Sequence, residues 1–278
     1  MVDLSSPPQV IETDSTGGRE GGKVITVLSP KGGAGKTTLA VNMAAALAKF
    51  APKDVVVVDT DLQFGDVGTA LGLRPKSTFY DAVTLGLDDP VALKLQLVPH
   101  VSGCWALCAP DQPAQADAIT PEHVAQVVRT LRKTFKYVVV DNEPGLGERA
   151  LAALDESTDI LMICVTDVPS ARGLRKAMVA LDQVKITGPT RHFVLNRADA
   201  RVEFEEADIV KTVGYDISVR IPSDRVFPLA MNRGVPVVLN PDGGSAVDSI
   251  WNLVATVGGE GVEAPAEAKK SGLFKRRG

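Results

Sequence analysis

Six short runs of apolar, mostly β-branched residues set the strongest limit on how this chain folds: 23–29 (KVITVLS), 54–60 (DVVVVDT), 104–110 (CWALCAP), 137–143 (YVVVDNE), 159–165 (DILMICV) and 192–196 (HFVLN). None alternates apolar with polar residues, so each reads as a strand covered on both faces rather than one. Segments of helical pattern at 37–50, 121–134, 169–183 and 243–257 fall between them. This rhythm predicts an α/β fold, a doubly wound and mostly parallel sheet with helices on both faces. Ligands of such sheets sit at the carboxyl ends of the strands.

The first run leads directly into VLSPKGGAGKTTLA, residues 27–40. Counting back from Gly35-Lys36-Thr37 puts Pro30 where the common phosphate loop, G-x-x-x-x-G-K-[ST], starts with glycine, and Lys31 is an added cation. Backbone N–H groups of Gly32, Gly33, Ala34 and Gly35, with the start of the helix behind them at Thr38, suit phosphate oxygens. Lys36 would neutralise β and γ oxygens, and the Thr37 hydroxyl would ligate Mg²⁺. The plain alternative is a glycine turn in front of a helix.

The rest of the sequence narrows the setting. Of its 278 residues, 45% are hydrophobic and 23% charged, the balance of a globular chain. Its longest apolar runs fall far short of the roughly 20 residues that cross a bilayer, and MVDLSSPPQV does not read as a secretory signal, so the expected compartment is the cytoplasm. Cys104, Cys108 and Cys164 read as free, buried thiols. His100, His123 and His192 form no metal-ligand pattern and are assigned no catalytic role. Residues 1–22 read as a flexible leader, 23–258 as the folded domain and 259–278 as a linker with a basic tail. The last ten residues carry five positive charges and no acids. Against a formal net charge of −4, they leave about −9 on the rest.

KGGAGKTT resembles the deviant phosphate loop, K-G-G-x-G-K-[ST], of the MinD/ParA family of ATPases. That resemblance implies a P-loop nucleotide-binding fold, ATP and Mg²⁺ as cofactors, and a homodimer formed on ATP. Lys31 would reach the phosphates of the partner's ATP, which would make the nucleotide the glue of the dimer and complete the charge stabilisation for hydrolysis. VVVVDTDLQFGDVG resembles the family's Asp-x-Asp strand end, implying that Asp61 positions the attacking water and Asp59 lies near the Mg²⁺ shell. YVVVDNEPGLGE resembles its Walker B strand, implying that Asp141 holds a Mg²⁺-bound water and that Gly145 senses the γ-phosphate. Glu143 stands where the family has a small or apolar residue. VLNRADA and RIPSDRVFPLAMNRGVPVV resemble the base-reading part, with Asn196, Arg197 and Pro222 meeting adenine. Asn196 to Asp199 also imitates the guanine signature N-K-x-D, which leaves GTP as an alternative.

Together these segments cover residues 23 to 257 and look closest to the CpaE/TadZ branch, linked to pilus assembly. The expected function is an ATP-dependent dimerising switch that positions a cellular machine through a protein partner, with hydrolysis slow until that partner acts. A MinD-like localising role, a weakly hydrolysing or non-hydrolysing scaffold, which Glu143 favours, and a ParA-like partitioning ATPase are the alternatives. The acidic body argues against specific nucleic-acid binding. A nitrogenase-type iron protein would need a cluster-ligating cysteine near the Walker B strand, and none lies between 109 and 163. The tail, KKSGLFKRRG, reads either as a solvated basic segment that aids solubility or touches a protein partner, or as a weak contact with the inner face of the cell membrane.

Overall fold

Valines from alternate positions of one strand reach opposite faces of the central sheet, and both faces are covered. In the computed structural model, which describes residues 21–200, 204–240 and 244–263, eight strands form this sheet. They are β1 (Lys23–Leu28), β2 (Val55–Asp59), β3 (Val98–Pro99), β4 (Trp105–Leu107), β5 (Tyr137–Asp141), β6 (Asp159–Val165), β7 (Thr190–Asn196) and β8 (Ile217–Ile221). Their order across the sheet is β3-β4-β2-β5-β1-β6-β7-β8, and every neighbouring pair is parallel except β3 with β4. The predicted leader up to residue 20 and the predicted basic tail from 264 lie outside the described residues.

Two-sided burial explains the unbroken apolar runs. Val55 and Val57 pack with the helices Lys36–Leu47 and Gly244–Val257, while Val56 and Val58 pack on the other face with helix Pro121–Thr134. A third cluster joins Ile160, Met162 and Cys164 of β6 to helix Val168–Gln183. Burying each such valine or isoleucine is worth about 1.5–3 kcal/mol against leaving it in water. Helix Lys36–Leu47 is covered almost all round, and its run of alanines lets the sheet and the last helix approach it closely.

The structure departs from the sequence reading at the sheet's edges. β3 is two residues long and includes a proline, which gives no pattern to read. β8, ISVRI, leaves Ser218 and Arg220 exposed as an edge strand does, and its half-polar pattern was not counted among the buried runs. The run 104–110 contributes only Trp105–Leu107 to the sheet.

The carboxyl ends of β1, β2, β5, β6, β7 and β8 share one edge. Val27 and Asp59 both stand in register with Asp141, and Asn196 with both Val165 and Ile221. At the opposite edge the Gly22 N–H donates to the Arg132 carbonyl at 2.7 Å, and the Tyr137 hydroxyl donates to the Gly258 carbonyl at 2.7 Å. Gly21 and Glu260 line one shallow recess there. No described helix is long and apolar enough to cross a membrane.

That second edge carries a buried ionic knot. Asp159 lies 2.8 Å from His192 Nε2 and 3.2 Å from Lys23 Nζ, and accepts from Thr158 Oγ1 at 2.8 Å. Burial pushes its carboxyl up, but the hydrogen bonds from His192 and Thr158 and the Lys23 charge outweigh it and hold the group below the usual carboxylate range. A depressed folded value gives stability that is complete above the unfolded value of about 4 and is lost as pH falls through the lower folded one. Asp159→Asn is therefore expected to flatten the acid limb of stability, read as urea midpoints from pH 5 to pH 2. Parallel limbs for both proteins would contradict this.

Candidate functional site

β1 ends at Leu28, and residues 29–35 turn across the carboxyl edge of the sheet into helix Lys36–Leu47. The turn depends on Gly35, which caps the helix with φ +94°, and a Cβ there would lie 2.4 Å from Asn196 Nδ2. The Asn196 amide donates to the Ala34 carbonyl at 2.8 Å, and Arg197 Nη2 donates to the Gly33 carbonyl at 3.3 Å. The end of β7 thus holds two loop carbonyls. Across a planar trans peptide the N–H points opposite to the preceding C=O, so this grip turns the Ala34 and Gly35 N–H groups the other way, into the loop's hollow. Lys36, the first helical residue, is only 7% exposed, and Thr37 and Thr38 follow it at the positive end of the helix.

Three carboxylates face this loop in different states. Asp59 and Asp141, in register on adjacent strands, are both buried. Asp59 has a backbone partner on each oxygen: its Oδ1 accepts from the Asp61 N–H at 3.2 Å and its Oδ2 from the Val67 N–H at 3.0 Å. Burial and the charge of Asp141 push its carboxyl well up. Both oxygens of Asp141 are buried without a hydrogen-bond partner, and burial raises its pKa to about 7, against the pull of the nearby Thr37 hydroxyl and Lys36. A buried carboxylate left open in this way is unfavourable unless a cation joins it. Asp61 is half-buried, which raises its pKa, while the Lys36 charge and the Phe64 N–H draw it back.

Beyond Gly35 a cavity of about 620 Å³ opens between the ends of β7 and β8 and helix Val226–Arg233. Thr38, Asn196, Arg197, Pro222, Phe227 and Met231 line it. That volume lies in the ordinary range for a small-molecule pocket. The Asp199 carboxylate, which is exposed, accepts from the Ser223 N–H at 2.5 Å.

The structure therefore brings Lys36, Thr37, Asp59, Asp61 and Asp141 together behind the turn formed by Gly32, Gly33, Ala34 and Gly35, with Thr38 in the first turn of the helix. Gly145 reaches the same edge by donating its N–H to the Ser29 carbonyl at 3.3 Å. Asn196, Arg197 and Pro222 line the adjoining cavity. Lys31 stands apart. Its ammonium lies 3.2 Å from Asp167 Oδ2, at the start of helix Val168–Gln183, which the other Asp167 oxygen caps through the Ser170 N–H at 2.6 Å. Glu143 pairs with Arg149, Oε2 to Nη2, at 3.3 Å. Arg149, Asp167, Phe227 and Met231 were not singled out from the sequence. Each is an ordinary polar or apolar residue whose place depends on chain segments far from the loop.

Among the described residues no three His, Cys, Asp or Glu side chains gather as a metal cage. Mg²⁺ does not need one, since it is commonly held by one or two carboxylates with waters and phosphate oxygens. Thr37 and the open Asp141 carboxylate fit that donor set, while each Asp59 oxygen already accepts one backbone N–H.

An AAA domain family matches the chain over residues 22–192. The chain is 28% identical over 251 residues to the septum site-determining protein MinD of Thermotoga maritima, covering 87% of this chain and 90% of that protein. Among solved structures, a ParA family ATPase from Chlorobium tepidum superposes with a TM-score of 0.78 at 22% identity, covering 84% of this chain and 98% of that one. MinD from Pyrococcus horikoshii complexed with Mg-ADP gives a TM-score of 0.73 at 22% identity, covering 83% and 93%. At these identities the two structures speak for a shared fold.

Proposed function

The chain belongs to the AAA-domain family of P-loop ATPases of the MinD/ParA type, and from that premise we propose that it is an ATP-dependent dimerising switch that positions a cellular machine. The observation that carries this reading is the pair of lysines in one loop: Lys36 is buried at the hollow, while Lys31 is half-exposed and turned out of it. A cation outside its own phosphate site is placed to serve a second one.

In this reading the N–H groups of Gly32 to Thr38 and the Lys36 ammonium bind the phosphates of ATP. Thr37 and Asp141 would hold the metal, with Asp59 beside Asp141 on the neighbouring strand. Bound Mg²⁺ would supply charge neutralisation at the phosphates. Asp61 orients the attacking water, and Lys31 of a second copy would complete charge stabilisation. Gly145 reports the γ-phosphate. Asn196, Arg197 and Pro222 border the adenine. The likeness to MinD and ParA ATPases supports ATP over GTP.

The finer assignments follow from the sequence segments. The nucleotide-binding domain spans 23–258, and the CpaE/TadZ-like pieces favour a pilus-assembly partner over a septum-positioning one. The protein works in the cytoplasm, with the basic tail as a peripheral membrane contact. Glu143, the main reason to expect a non-hydrolysing scaffold, is neutralised by Arg149 and no longer argues for one.

Phosphate release with ATP and Mg²⁺ tests the reading, with Lys36→Ala expected to be slower by roughly 100-fold or more. Equal rates from both proteins would overturn it. The Lys31–Asp167 pair gives a gentler test. It is exposed, so removing it changes little in folding. Asp167→Asn keeps a helix cap and frees the lysine. ATP-dependent dimerisation is expected to tighten by a few-fold at low salt, read by light scattering. Weaker dimerisation would show that Asp167 serves the interface rather than restraining Lys31.

A further inference from the structure

The loops that carry Asp61 and Gly145 leave different strands but hang on the same short helix, Pro113–Asp117. From the first loop, Gln63 Nε2 donates to Asp117 Oδ1 at 3.2 Å. On the second side, Arg149, near the start of helix Glu148–Asp155, donates through Nη1 to the Ala116 carbonyl at 3.0 Å. Its other terminal nitrogen, Nη2, meets Glu143 Oε2 at 3.3 Å, in the loop that contains Gly145. Gly147 makes room for this arrangement, because a Cβ there would lie 2.6 Å from Glu143 Oε1.

We propose that Glu143 and Arg149 form a clasp, with Arg149 a positioning residue that ties the Gly145 loop to the Asp61 loop through helix Pro113–Asp117. The proposal rests on the ATPase reading above and assigns a role to a residue that reading leaves aside. The guanidinium fork is suited to it, since its donors are fixed in one plane and here serve two acceptors from different segments. Both side chains are mostly buried, 22% and 17% exposed, so the pair is screened less than a surface ion pair. A displacement of Gly145 on meeting a γ-phosphate would move Glu143, then Arg149 and Ala116. Through Asp117 and Gln63 it would reach the loop of Asp61. The acidic residue at 143 is on this account a part of the coupling.

The test uses the full chain with Glu143→Gln, Arg149→Gln and the double variant. For ATP turnover, each single variant is expected to lose about tenfold in kcat with KM within twofold, and the double variant to lose no more than either single. A structural role alone would not give that split. Unchanged kcat in the singles, or losses that multiply in the double, would overturn the clasp. A wild type that releases no more phosphate than Lys36→Ala would instead sink the ATPase reading. The pairing then remains measurable without nucleotide as thermal unfolding of the same four proteins, where strictly additive losses in Tm overturn it and non-additive losses support it.

Discussion

Lys31→Ala is expected to leave a protein that binds ATP but stays a monomer, with hydrolysis lower by roughly 10³-fold, the scale of losing a cation supplied in trans to a transferring phosphoryl group. Lys31 is half-exposed and contacts Asp167 rather than its own loop, so its removal takes nothing from the core or from the grip of β7 on the loop carbonyls. In the proposed reading, binding by one protomer would depend on Lys36, the loop N–H groups and Thr37, all of which remain. The measurement is molar mass by light scattering with ATP and Mg²⁺, made in an Asp61→Ala background that blocks turnover. Dimerisation of that background only when Lys31 is present is the expected result. A mass that ignores nucleotide even with Lys31 intact would remove the dimer from the account.

The second large effect is expected at Gly35. Gly35→Ala meets two obstacles together, a left-handed backbone at φ +94° that a Cβ disfavours and a close approach to the Asn196 amide. Relief by moving Asn196 breaks its hydrogen bond to Ala34 and lets the loop carbonyls turn inward, toward the phosphates. Nucleotide affinity is expected to fall at least tenfold, about 1.4 kcal/mol, with a lower Tm. Combining it with Asn196→Ala removes the collision but keeps the strained φ and loses the grip, so the double variant is expected to regain some Tm and no affinity. Wild-type affinity in Gly35→Ala, measured with a fluorescent ATP analogue, would mean that the loop tolerates a rotated peptide.

The phosphate loop and the sheet class were legible because their causes are local. A strand buried on both faces needs an unbroken apolar run, and a loop around phosphates needs glycine, lysine and threonine at fixed spacing. The edge strands β3 and β8 were not, since a two-residue strand and a half-exposed one leave no such run. Lys31 and Asp167 lie 136 positions apart, and no pattern around either announces the other. Glu143 was legible as an oddity, but only the fold supplies Arg149, from the first turn of the next helix, and with it the neutral pair. Asp59 and Asp141 both read from the sequence as strand-end acids close to Mg²⁺, with no sign of how their hydrogen bonding differs. Their difference lies in backbone N–H groups that close on Asp59 and leave Asp141 open.

Placing Gly21, Gly258 and Glu260 at the amino edge of the sheet also sets a working distance. The longest strands, β6 and β7, have seven residues each, and at about 3.3 Å per residue they separate that edge from the phosphate loop by roughly 23 Å. Two copies joined through their phosphate edges would turn these far edges outward, at least about 45 Å apart. Such a pair would be a double-ended ruler: whatever is grafted at either end would be held at a fixed span while ATP joins the two copies, and released from it when they part. Reporter dyes at Gly21 or Glu263 would read that span without touching the chemistry.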